Sequence, residues 1–240
     1  MTNLDDSKDA ILGIDSDSHK KSIFQNSPIL NVVIISLCFI VCFVGIFDRE
    51  LWTPDEPRVA AMALEMSSTN NYIVPHLAGE PFVEKPPLYY AMAGLMINLL
   101  GGVLGVAGAV RFSTVLWGLG VLGFTGLTTR RLLGKGTGVL SIAILATMAG
   151  FVENFHWIRV DAALAFFVMV SVWSSVEAYV TGRSGFFILT GVFGAGAFLA
   201  KGLIGPVLIL VPVLALFISG KLTRGRVVHS SRDIKAIGLG

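Results

Sequence analysis

Four short stretches of this sequence hold acids and bases where transfer or transport chemistry could use them. "DEPR" places Asp55, Glu56 and Arg58 within one turn, and "GEPFVEKPPLYY" sets Glu84 beside Lys85 ahead of a diproline. "ENFHWIRVDAALAFF" holds Arg159 and Asp161, and "FLAKGLIGP" holds Lys201 with no acid nearby in sequence. Lys and Arg suit phosphate oxygens, and a carboxylate among them can act as a general base toward a hydroxyl. Each group also has a plain structural reading. Thr53 as N-cap, Pro54 at N1 and Glu56 at N3 compose a capping box, which gives Glu56 to the helix end. Arg58 one turn on could neutralise Asp55, Arg159 and Asp161 could pair locally, and Lys85 could snorkel. His76, alone in its loop, reads as solvated.

What must position these side chains is a bundle of apolar helices. Of 240 residues 54% are hydrophobic and 14% charged, where a soluble domain carries about 25% charged residues. The chain is an all-α integral membrane protein. Stretches long enough to cross ~30 Å of hydrocarbon fall near 29–47, 106–128, 137–153, 162–181, 185–200 and 203–219. Residues 1–28 form a polar, disordered tail, and the first span reads as an uncleaved anchor. Cys38 and Cys42, four apart inside that span, read as packing residues. The Gly-rich "GVFGAGAF" lies in a span at helix-packing spacing, which excludes a nucleotide loop. Val59, Met62, Ala63 and Met66 make an apolar stripe on a helix near 54–67 that can lie on the bilayer.

Residues 86–104 decide the topology. They open with two prolines, carry Asn98 and break up at Gly101 and Gly102. With this stretch in the interface and the N-terminus inside, 12 of the 18 Lys and Arg residues face the cytoplasm. With it crossing, the count inverts to 6 inside and 12 outside, so the positive-inside rule favours an interfacial helix. The basic residues left outside are Arg49, Arg58, Lys85, Arg111, Arg159 and Lys201, joined by Asp55, Glu56, Glu84 and Asp161. Charges so close to lipid pair with one another or serve a site. Together they suggest a phosphorylated lipid headgroup as ligand.

"PDEPRVAAMALEM", "YIVPHLAGEPFVEKPPLYY", "VRFS", "RVDAALAFF" and "AKGLIGPVLILVP" occur here in that order. In this the chain resembles the polyprenyl-phosphate-dependent glycosyltransferases of the membrane GT-C class, in the lipid A aminoarabinose transferase and protein O-mannosyltransferase-like family. The resemblance runs from about residue 30 to 220. It implies a GT-C-like multi-span bundle in a bacterial inner membrane. Interfacial helices would occupy the first periplasmic loop, and the active site would face the periplasm or cell exterior. The implied partners are a polyprenyl-phosphate-linked sugar donor, a lipid, glycan or protein acceptor and membrane lipids; no nucleic acid is implied. Asp55 matches the acid that activates the acceptor, and Asp161 a second-loop acid near the cavity. Arg58 and Lys85 match donor-phosphate positions, with Arg159 and Lys201 as further substrate-binding cations. Glu84 matches an acidic position that some members use near a divalent metal cation. Family members are much longer, so the chain reads as a truncated product ending in a cytoplasmic loop, 220–240. The alternatives are a non-catalytic lipid-binding or assembly protein and a transporter. A transporter would keep its ionisable groups near the midplane, whereas these lie at span ends.

Overall fold

The computed structural model describes residues 27–52, 54–134, 136–216 and 218. Most of the expected tail (1–28), all of the expected cytoplasmic loop (220–240) and Thr53 and Lys135 lie outside the described residues. Helix α1, Pro28–Phe43, starts where the Ser27 hydroxyl accepts from the Leu30 amide at 3.2 Å and Pro28 takes the first turn. Its Cys38 and Cys42 are buried free thiols facing a core with Ile46, Val115, Phe151 and Phe155. The packing reading of the two cysteines holds. The chain then leaves the helix and reaches α2, Asp55–Thr69, through residues 44–54.

Helix α2 does not lay its stripe on lipid. Val59, Met62, Ala63 and Met66 are all buried, packed with Tyr89, Tyr90, Ala93 and Ile97 of the next long helix. The apolar face has a protein partner, so the bilayer reading of that stripe is corrected. A two-residue hairpin follows, β1 (His76–Leu77) paired antiparallel with β2 (Glu80–Pro81). Ala78 and Gly79 both take positive φ, as a type I′ turn requires. The Glu65 carboxylate holds the hairpin to α2, accepting from the His76 amide at 3.0 Å.

Helix α3, Leu88–Leu133, is two helices joined at a break, because Gly105 stands at φ 68° and ψ 171°. Only glycine takes that backbone region at low cost. The limb 88–104 falls on the stretch expected as an interfacial helix, near 86–104, and 106–133 contains the expected span 106–128. Asn98, which made this stretch awkward as a span, is exposed but bonded to two protein hydroxyls. It accepts from the Ser67 hydroxyl of α2 and donates to the Tyr72 hydroxyl at 2.6 Å. Gly94 lets the limb come close, since a Cβ there would lie 2.9 Å from the Ala63 carbonyl oxygen. Gly94→Ala should therefore push α2 off the limb and destabilise the protein by about 1–3 kcal/mol, the usual cost of overpacking. Thermal unfolding in detergent measures it, and an unchanged midpoint would contradict the close packing.

The expected span 137–153 is not one helix. Thr137–Thr147 (α4) and Ala149–His156 (α5) are bent by 69° at Met148. The Thr147 hydroxyl bonds back to the Ala143 and Ile144 carbonyls at 2.8 and 3.0 Å, a pattern that bends helices. The Met148 carbonyl then starts the next helix by accepting from Phe151 and Val152. Helices α6 (Asp161–Thr181) and α7 (Ser184–Lys201) pack side by side. Thr190 meets the buried Ser174 and Ser175 at 2.9 and 3.1 Å, interhelical bonds of the kind found inside membranes. Helix α8, Ile204–Leu216, follows.

Among the described residues, three helices are long and apolar enough to cross a membrane, α3, α6 and α7, or four with the bent pair; α1 and α8 are apolar but shorter. Charges sort to two ends of this bundle. Arg131 of α3 pairs with Glu177 of α6 at 3.1 Å at one end. Arg49, Arg111, Arg159 and Lys201 gather with acids at the other.

Candidate active site

The site is organised around Glu56, and this reverses its expected role as a helix cap. The N-cap of α2 is Pro54, with no side-chain cap bond. Glu56 is 1% exposed and its carboxylate accepts five hydrogen bonds. Arg49 grips both oxygens at 2.9 and 3.1 Å, and Arg111 binds one at 3.1 Å. The backbone amides of Trp52 and Ile158 each reach it at 2.8 Å. Arg111, also 1% exposed, donates further to the carbonyls of Ile46, Arg49 and Glu50 at 3.2, 2.6 and 2.9 Å. One carboxylate thus ties together the segment after α1, the start of α2, the second limb of α3 and the segment entering α6. Burial alone would raise the Glu56 pKa, but the bonds from Trp52, Arg111, Ile158 and Arg49 outweigh it and hold the group below its usual value.

With Glu56 turned inward, its neighbours on the helix turn outward. Asp55 and Arg58 are exposed. Asp55 makes no ion pair among the described residues, so the expected neutralisation by Arg58 does not occur. The Arg58 guanidinium lies 5.8 Å from the Phe82 ring centroid, and Phe82 packs edge-on to Tyr90 at 6.1 Å. Phe82 stands two residues before Glu84. The first turn of α2 and the loop carrying Glu84 and Lys85 therefore form one neighbourhood, and both loop residues are exposed. An unpaired carboxylate, an exposed guanidinium and an exposed ammonium in one rim can take up a proton and hold an anion.

The second group of expected site residues is wired differently. Asp161, at the start of α6, pairs with Lys201, at the end of α7. The acid that sequence proximity could not supply to Lys201 comes from 40 residues away. Arg159 does not pair with Asp161; it reaches Asn154 at 3.2 Å and Glu153 at 3.5 Å and stands 5.0 Å from the Trp157 ring. The bend between α4 and α5 leaves a cleft of about 300 Å³ lined by Met148, Phe151, Asn154, Phe155 and Asp161. Asp161 supplies its carboxylate edge.

Comparison with known proteins matches residues 84–232, more than half of the chain, to the family described as dolichyl-phosphate-mannose-protein mannosyltransferase. The chain belongs to that family. It is 32% identical over 191 residues to the undecaprenyl phosphate-alpha-4-amino-4-deoxy-L-arabinose arabinosyl transferase of Edwardsiella ictaluri (strain 93-146), covering 77% of this chain and 33% of that protein. The fold is similar to the crystal structure of ArnT from Cupriavidus metallidurans in the apo state, with TM-score 0.67 and 25% identity over 80% of this chain and 36% of that one. The same protein bound to undecaprenyl phosphate gives TM-score 0.62 at 24% identity. The chain spans about a third of the length of these relatives. The GT-C-like helical fold expected from the sequence is the family fold.

Within that frame, sequence reasoning missed the roles of Arg49, Arg111 and Glu56. One signal was available. Arg111 stands in an apolar run, "AVRFS", with no acid within four residues, so a buried partner had to come from elsewhere in the fold. The expected metal position, Glu84, is a single carboxylate. Among the described residues no three His, Cys, Asp or Glu side chains come together as a metal site.

Proposed function

We propose that this protein is a membrane glycosyltransferase that moves a sugar from a polyprenyl-phosphate carrier to a hydroxyl acceptor on the non-cytoplasmic side. The observation that carries the reading is the clamp on Glu56, which holds α2 so that Asp55 and Arg58 face outward beside the Glu84–Lys85 loop. The family supports it, as do the names of the relatives. The orientation rests on the sequence's charge distribution: with the N-terminus inside and 86–104 not crossing, 12 of the 18 Lys and Arg residues fall on the cytoplasmic side. The acceptor is a hydroxyl of a lipid, a glycan or a protein.

In the reaction, Asp55 takes the proton from the acceptor hydroxyl as its oxygen attacks the anomeric carbon. The bond from that carbon to the phosphate oxygen breaks, and the polyprenyl phosphate leaves with the bonding pair. Arg58 and Lys85 neutralise the charge that grows on the leaving phosphate. Attack opposite the phosphate inverts the configuration at carbon. Arg58→Ala and Lys85→Ala should each weaken binding of undecaprenyl phosphate by about 10- to 150-fold, since each removes a charged hydrogen bond of ~1.5–3 kcal/mol. Titration of the full chain in detergent measures this. Wild-type affinity in both variants would contradict the phosphate assignment.

A further inference from the structure

Trp52 lies three residues before Asp55 and is 63% exposed, although its backbone is fixed. Its amide donates to Glu56 at 2.8 Å and its carbonyl accepts from the Glu56 amide at 3.3 Å. Its ring rests against Trp157, with centroids 5.7 Å apart and planes inclined by 32°. Trp157 is held in turn by two guanidinium groups, Arg49 at 5.6 Å and Arg159 at 5.0 Å from its ring centroid. Arg49 also donates to the His156 carbonyl at 2.9 Å, which fixes the backbone just before Trp157. The cations are spent on Trp157. Among the described residues no cation stands over Trp52, which presents a large aromatic surface to the outside from a rigid mount.

We propose that the exposed face of Trp52 is a stacking subsite for the sugar ring of the donor. The inference rests on the glycosyl-transfer reading and adds to it the group that holds the sugar. Two considerations select a sugar over bilayer lipid. Asp55 must meet the acceptor at the anomeric carbon, so the ring has to lie beside Asp55. The Glu56 amide bonds the Trp52 carbonyl at 3.3 Å, and three residues of chain reach at most about 10 Å, so Trp52 stays close to Asp55. The π face of an indole is also electron-rich and attracts the partly positive C–H bonds along one face of a sugar ring. The Trp52 ring is backed by Trp157, and Trp157 is itself held between Arg49 and Arg159, so the plane of the exposed ring is fixed.

The test compares two probes on the full chain in detergent. They are the undecaprenyl phosphate-linked aminoarabinose named for the Edwardsiella relative and undecaprenyl phosphate without sugar. Trp52→Leu keeps apolar bulk and removes the π face; Trp52→Phe keeps a smaller one. Trp52→Leu should weaken the sugar-linked probe by about 5- to 30-fold, in the lower part of the range for aromatic stacking. It should leave the sugar-free probe within about twofold, and Trp52→Phe should recover most of the loss. Equal weakening of both probes would make Trp52 a lipid anchor and overturn the subsite. No weakening of either would overturn the subsite and leave glycosyl transfer standing. Failure of the wild type to bind either probe would overturn the glycosyl-transfer reading and the subsite together.

Discussion

Glu56→Ala should destabilise the protein by about 3–5 kcal/mol, because it leaves the Arg111 charge buried without its counter-ion. The substitution removes the acceptor for two guanidinium groups and two backbone amides at once. Arg111 is 1% exposed. Glu56→Gln is the sharper variant, since it keeps the shape and some acceptor capacity while removing the charge. It should recover only part of the loss. Combined with Arg111→Met it should cost less than the two single changes summed, as coupled neighbours do. The same carboxylate sets an acid limit. Its folded pKa lies below the ordinary value of 4.5, so its contribution is complete above that value and is lost as pH falls through the folded pKa. Unfolding in detergent, followed by tryptophan fluorescence across pH, reads both effects. Stability of Glu56→Ala within about 0.5 kcal/mol of wild type, the range of ordinary surface changes, would show that the clamp does not hold the site.

Asp55→Asn should lower transfer activity by about 10²–10⁴-fold, the range for loss of a general base, while folding and donor binding persist. The side chain is exposed and holds no ion pair among the described residues, so the amide replaces it with little structural cost. Asparagine still accepts a hydrogen bond from the acceptor hydroxyl but cannot take its proton. The pair of variants therefore separates two neighbours: Glu56 fails by unfolding, Asp55 by chemistry. A fall in activity for Asp55→Asn that tracks a fall in melting temperature would assign Asp55 to structure.

The sequence made the class and much of the helix order legible for a physical reason. Apolar runs near bilayer length cannot be hidden in a sequence; the break expected at Gly101 and Gly102 falls instead at Gly105, and both earlier glycines stay helical. The apolar stripe of α2 was legible too, but not its destination, since periodicity marks a buried face without naming what buries it. Tertiary pairing was the blind spot. Glu56 and Asp55 are adjacent acids in one turn, and nothing local says which turns inward; that depends on Arg111, 55 residues away. Lys201 looked free for the same reason, with Asp161 arriving from the neighbouring helix. The bend at Met148 was missed because Thr147 and Met148 are ordinary in an apolar run, and only the hydroxyl's bonds to its own helix reveal the break.

The central claim is that Asp55 deprotonates an acceptor as a sugar leaves polyprenyl phosphate. Release of undecaprenyl phosphate from its aminoarabinose conjugate, followed with and without a lipid A acceptor, tests it most directly. The wild type should release the carrier only when acceptor is present, with sugar appearing on the acceptor in equal amount, and Asp55→Asn should bind the donor yet release about 10²–10⁴-fold more slowly. Release by Asp55→Asn at the wild-type rate would contradict the account.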